Sequence, residues 1–122
     1  MGLAAPIQLI SQVTNENLQR QLSSLWRIAQ QHGWIRRCRL QVGWRIEDGA
    51  RRRSLAKRVL SASGWNASPD EEYDPEDDPA EFIAHIVIEF PSRALLEHQL
   101  RWANQLAAEF GATLPRLVLG AA

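Results

Sequence analysis

From Phe82 to Phe90 the chain alternates strictly between two faces. Phe82, Ala84, Ile86, Ile88 and Phe90 fall on one, and Ile83, His85, Val87 and Glu89 on the other. A period of two over this length is the pattern of a β-strand, because successive side chains of an extended chain point to opposite sides. The second face is only partly polar. The same period recurs earlier, where Leu40, Val42, Trp44 and Ile46 alternate with Arg39, Gln41, Gly43 and Arg45. That run reads as a half-buried strand with one apolar and one basic face.

Between and around these strands the period changes to that of a helix. Leu18, Leu22, Leu25, Trp26 and Ala29 recur at spacings of three and four, which predicts a helix within residues 14–33, capped by Thr14 or Asn15 and ended by Gly33. Asp48-Gly49 opens a second helix with Leu55, Val59, Leu60 and Ala62 as its buried stripe, closing at Gly64. Pro91-Ser92 caps a third, from about Arg93 to Phe110, whose apolar residues Leu96, Leu100, Ala103, Leu106, Ala107 and Phe110 keep helical spacing until Gly111. Thr113 to Leu119 predicts a last strand, placed at a sheet edge or bulged because Pro115 cannot donate a ladder hydrogen bond. Trp65-Asn66-Ala67 predicts a short strand.

A chain of 122 residues has room for one domain. Its 45% hydrophobic and 23% charged content is that of an ordinary folded domain. The expected organisation is a flexible N-terminus over 1–13, a helix over 14–33, a core over 38–119 and an acidic loop over 68–81. Without the first helix the order is β-α-β-β-α-β. That predicts an α+β protein, a ferredoxin-like two-layer sandwich with an antiparallel sheet and helices on one face, plus an extra N-terminal helix. The open sheet face would carry Arg39, Gln41, Arg45, His85 and Glu89. The extra helix would cover part of that face or pair with a second subunit, in a homodimer.

Charge is the most informative functional feature. Fourteen basic and fourteen acidic residues cancel overall, but they are segregated. Residues 20–58 hold eleven basic and two acidic side chains, and residues 70–89 hold nine acidic and none basic apart from His85. The acidic run includes Asp70, Glu71, Glu72, Asp74, Glu76, Asp77 and Asp78, broken by Pro75 and Pro79, with almost nothing to bury. These carboxylates, with Arg51, Arg52 and Arg53 second, are the candidate contacts for a charged macromolecular partner. RNA is the alternative partner, held by Arg37, Arg39 and Arg45 on an open sheet face, although the aromatic signature of RNA-recognition modules is absent. An immunity-type inhibitor of a toxin is a further alternative.

Other chemistry lacks its usual spacing. His32, His85 and His98 form no HxH or HxxxH pair and Cys38 no CxxC, so no metal is expected. The acidic run lacks the glycine and the alternation of a calcium loop. There is no phosphate-cradling glycine loop and no Gly-x-Ser-x-Gly, so neither cofactor nor catalysis is expected. Cys38 beside Arg37 and Arg39 reads as an inert small residue rather than an activated thiolate. A lone cysteine, a start without a basic signal region and the lack of a long apolar span fit a cytoplasmic protein without membrane contact. Of the five tryptophans, Trp34 and Trp65, just past helix ends, read as junction-packing residues.

From about Arg39 to the C-terminus the pattern resembles the regulator of ribonuclease E activity B (RraB) family of bacterial protein inhibitors. The likeness rests on a strand and a helix ending in Gly64-Trp65, the Pro69-Asp70-Glu71-Glu72 and Pro75-Glu76-Asp77-Asp78 stretches, and the apolar strand Ile83 to Ile88. It continues in a helix ending Leu106-Ala107-Ala108-Glu109-Phe110 before the last strand. The resemblance implies a ferredoxin-like domain that acts by protein contact without a cofactor, as a small regulator of a ribonuclease E-type endoribonuclease. This chain differs from that family in its neutral overall charge with a basic half and in its additional N-terminal helix.

Overall fold

The computed structural model describes residues 8–10, 14–67 and 80–122. Its strands are β1 (Gln8–Ile10), β2 (Arg37–Arg45), β3 (Trp65–Ala67), β4 (Glu81–Glu89) and β5 (Arg116–Gly120). Its helices are α1 (Leu18–Gln31), α2 (Gly49–Leu60) and α3 (Arg93–Phe110). The strands form one sheet in the order β1-β5-β2-β4-β3, every neighbouring pair antiparallel. Register runs Arg37↔Glu89 to Arg45↔Glu81 between the two long strands, so their alternations stay in phase along the whole pair. The result is an α+β protein with an antiparallel sheet and three helices.

The in-phase alternation decides where the core sits. Cys38, Leu40, Val42 and Trp44 of β2 join Ala84, Ile86 and Ile88 of β4 and Leu117 and Leu119 of β5 on one buried face. Buried leucines and alanines from all three helices share that cluster: Leu18, Leu22, Leu25 and Ala29 of α1, Leu55 of α2, and Leu96, Leu100, Ala103 and Leu106 of α3. Trp44 is fully buried and donates its indole N–H to the carbonyl of Ala103, 3.0 Å away, tying the central strand to α3. Trp65, Phe82 and Trp102 surround it with ring centroids 6.2 to 6.5 Å away. Trp34 and Trp65 are buried, as junction-packing residues should be, while Trp26 and Trp102 are half-buried.

Several expectations are corrected. The first helix begins at Leu18, with Asn17 rather than Thr14 or Asn15 at its N-cap position, because Thr14 and Asn17 exchange side-chain to backbone hydrogen bonds of 2.8 and 3.1 Å and so close a turn ahead of it. It packs beside α3 on the helix-covered face of the sheet and does not cover the opposite face. Of the segment expected to be flexible, Gln8–Ile10 pairs with β5, and residues 1–7 and 11–13 lie outside the described residues. That pairing places β5 inside the sheet, and Pro115 is harmless there because it precedes the first paired residue, Arg116. In α2 the buried stripe is Leu55 and Val59, whereas Leu60 is exposed. Phe90 does not extend the apolar face of β4: pairing with β2 stops at Glu89, and Phe90 lies 73% exposed.

Local signals set the helix ends. Ser92 accepts a hydrogen bond from the Leu95 N–H at 3.1 Å and caps α3, which ends at Gly111 in the left-handed conformation. The Asp48 carboxylate caps α2 by accepting from the N–H groups of Ala50 and Arg51, at 2.8 and 3.2 Å. The Arg51 N–H, then that of Ala50, holds the Asp48 carboxyl below its ordinary range. A depressed folded-state pKa means that this stabilisation is present above the ordinary carboxylate pKa and is lost as pH falls through the folded value. Asp48→Ala should therefore lower the thermal midpoint at neutral pH, with the difference from wild type vanishing in acid. A difference that persisted in acid would show that the carboxylate is not the capping group.

Candidate functional site

The face of the sheet opposite the helices is the candidate site. Alternation and register place Arg37, Arg39, Gln41, Gly43 and Arg45 of β2 beside Glu81, Ile83, His85, Val87 and Glu89 of β4. On the other side of β2 they place Arg116, Val118 and Gly120 of β5, and Asn66 of β3 pairs with His85. The expected exposed set Arg39, Gln41, Arg45, His85 and Glu89 is therefore gathered on one face. The three arginines of β2 run in line, with Arg37 and Arg45 about 26 Å apart at a rise of roughly 3.3 Å per residue.

Some of their partners are local. Arg37 Nε lies 2.8 Å from Glu89 Oε1, and Arg45 Nη2 lies 2.8 Å from Glu47 Oε1. Both pairs are well solvated, so each contributes little to stability. Arg39 donates to Gln41 Oε1 at 3.3 Å. Among the described residues the face thus brings together cations and surface carboxylates, with the aliphatic groups Ile83, Val87 and Val118 between them.

One feature of the face was not foreseen. Glu81 is almost fully buried and lies across Gly43 to meet Arg116 on β5 in a two-pronged ion pair, with Nε donating to Oε2 at 2.9 Å and Nη2 to Oε1. A Cβ on residue 43 would lie 2.8 Å from Glu81 Oε2, so the carboxylate crosses β2 only because residue 43 is glycine. A glycine inside an alternating strand is the signal that marks such a close approach. A second unforeseen residue is Asn104, buried in α3 with neither carboxamide atom hydrogen-bonded, beside a polar cleft of about 300 Å³ lined by Asn15, Arg101 and Gln105.

The structure separates the two sets of arginines. Arg51, Arg52 and Arg53 stand on the first turns of α2, outside the open face. Arg52 Nη1 donates to the Ile46 carbonyl at 2.9 Å, and Arg51 lines a cleft of about 500 Å³ against Glu109 and Gly111 at the end of α3. The same Ile46 donates its N–H to Ala80, where the chain enters β4. The carboxylates Asp70, Glu71, Glu72, Asp74, Glu76, Asp77 and Asp78 lie outside the described residues.

Cys38 faces the helices and is fully buried, and burial pushes its thiol up from an ordinary 9.0 to about 11. Desolvation, which disfavours the thiolate, outweighs the neighbouring arginines because their side chains point to the other face. A raised folded-state pKa means that Cys38 favours the native state below its ordinary pKa, and this contribution fades as pH climbs toward about 11. Native protein at mildly alkaline pH should accordingly alkylate far more slowly than denatured protein, through both the raised thiol pKa and the lack of access. Equal rates in iodoacetamide trapping would show the thiol to be accessible.

Among the described residues no group of three or more His, Cys, Asp or Glu side chains is placed to hold a metal ion. No helix among them is long and apolar enough to cross a membrane. Comparison with protein-family models and with curated proteins finds no match.

Proposed function

We propose that this chain is a ferredoxin-like binding module that acts by contact with another protein, in the manner of the RraB-type regulators of a ribonuclease E-type endoribonuclease. The strand order β5-β2-β4-β3, with α2 and α3 as the crossovers, supports the fold reading. The observation that supports the functional reading is the placement of all three helices on one side of the sheet, so that among the described residues no helix lies over the opposite, charged face. The acidic residues Asp70, Glu71, Glu72, Asp74, Glu76, Asp77 and Asp78, with Arg51, Arg52 and Arg53, are the proposed contacts. No cofactor enters this role.

Cleavage of a labelled single-stranded RNA by a ribonuclease E-type catalytic domain, measured with increasing amounts of the chain, tests the proposal. Inhibition should appear near stoichiometric amounts and weaken when Asp70, Glu71, Asp77 and Asp78 are changed to lysine. Absence of both inhibition and complex formation would refute the reading.

The alignment of Arg37, Arg39 and Arg45 along one face of β2 favours a second reading, RNA binding. Affinity for a single strand would then fall with salt at a log-log slope of about −0.7 per phosphate contacted, and Arg39→Ala would lower that slope. Affinity indifferent to salt excludes this reading.

A further inference from the structure

Phe90 combines two features that nothing within the described fold rewards. Its φ is +50°, the left-handed region that costs a bulky residue strain and that glycine or asparagine occupies more readily. Its ring is nevertheless 73% exposed, so the strain is not offset by burial. The turn requires the backbone: the Phe90 N–H donates to the Arg36 carbonyl at 2.8 Å, and the chain must then swing over the sheet edge through buried Pro91 to the Ser92 cap. It does not require the ring. Strain held at an exposed aromatic residue points to a role outside the fold.

The surroundings identify the chemistry. The Phe90–Arg36 hydrogen bond brings the β4–α3 turn against the α1–β2 turn, which presents Ile35, 48% exposed, while Val87 is exposed on the adjoining open face. Residues 32–37 and 87–93 hold three arginines, Arg36, Arg37 and Arg93, and one carboxylate, Glu89; Arg37 engages Glu89, and Arg93 donates to Ser23 Oγ and Gln19 Oε1. An exposed aromatic residue whose turn meets one presenting an exposed isoleucine and Arg36 has the composition of a protein-interaction surface, and the excess of arginine over carboxylate there favours an acidic partner. Nucleic acid fits less well, because the open-face positions of β2, β4 and β5 carry no Phe, Tyr or Trp on which a row of bases could stack.

We infer that the Phe90 corner, with Ile35 and Arg36, is a docking site for an acidic segment of a partner protein that inserts one apolar side chain beside the Phe90 ring. This rests on the reading of the chain as a protein-binding module and adds the anchor and the chemistry of what it accepts.

The test uses the whole chain and fluorescent short peptides rich in Asp and Glu with one central Leu, Phe or Trp. Lysine-containing counterparts and an oligouridine serve as controls. Wild type should bind the acidic peptides selectively, and Phe90→Asn should weaken that binding about tenfold or more while leaving the thermal midpoint unchanged or raised. Phe90→Leu, which keeps an apolar side chain, should retain part of the affinity. Failure of wild type to bind acidic peptides, equal binding by Phe90→Asn, a marked loss of thermal stability in that variant, or preference for the oligouridine would each overturn the inference. Ribonuclease inhibition separates the two proposals. Peptide binding through Phe90 without inhibition rejects the endoribonuclease and keeps the corner, whereas equal inhibition by wild type and Phe90→Asn does the reverse.

Discussion

Trp44→Ala should destabilise the protein by about 3–5 kcal/mol, the range for removing a fully buried large aromatic side chain. Trp44 has no exposed surface and stands on the central strand, where Trp65, Phe82 and Trp102 all touch its ring. Truncation opens a cavity against three aromatic neighbours and removes the indole hydrogen bond that ties β2 to α3. Against a total stability of about 5–15 kcal/mol, such a loss removes a large part of what holds the domain folded. Denaturant titration followed by near-ultraviolet circular dichroism reads the effect directly. Trp44→Phe keeps most of the volume and loses the hydrogen bond, so it should fall between the two. If Trp44→Ala shifted the midpoint no more than an exposed substitution such as Leu60→Ala, Trp44 would not be the centre of the core.

Arg116→Ala should cost about 3–5 kcal/mol, because it strands the buried Glu81 carboxylate without its partner. Half of the Arg116 side chain is solvent-exposed, so water admitted by the truncation places the expected value at the lower end of that range. Removing both members gives the decisive comparison. Glu81→Leu combined with Arg116→Leu should recover much of the loss, since an apolar pair of similar bulk carries no buried charge. Gly43→Ala tests the same arrangement from the third strand, as its methyl group would occupy the space of the Glu81 carboxylate. It should destabilise wild type and be tolerated better once Glu81 is shortened to alanine. Strictly additive effects in these combinations would show that the three residues do not form one unit.

Much of the framework is legible locally. The strand at Phe82, the strand at Leu40, the Asp48 and Ser92 caps and the end of α3 at Gly111 all follow from hydrophobic period and from which residues satisfy helix ends. These signals act within a few residues, so no knowledge of the rest of the chain is needed. The open-face residues Arg39, Gln41, Arg45, His85 and Glu89 follow from the same alternation once β2 and β4 pair in phase. The errors lie where local pattern and global pairing part company. At Phe90 the alternation runs one residue past the point where pairing with β2 stops, and at Leu60 the helical stripe continues beyond the reach of the sheet.

The candidate site divides in the same way. That arginines and carboxylates are segregated is a property of the sequence, and it already argued for a charged partner. Which arginines act together is not, since Arg37, Arg39 and Arg45 share the open face while Arg51, Arg52 and Arg53 lie by the start of α2.

Periodicity, capping residues and charge layout were thus determined by the sequence itself, because each depends on neighbours within one or two turns of chain. Only the tertiary structure decided that α1 lies beside α3, that β5 is enclosed between β1 and β2, and that Glu81 reaches Arg116, 35 positions away, over a glycine. Those outcomes depend on contacts between segments far apart in the chain. Their energies come from burying apolar area and pairing buried charge across the whole fold, and no single stretch of residues encodes them.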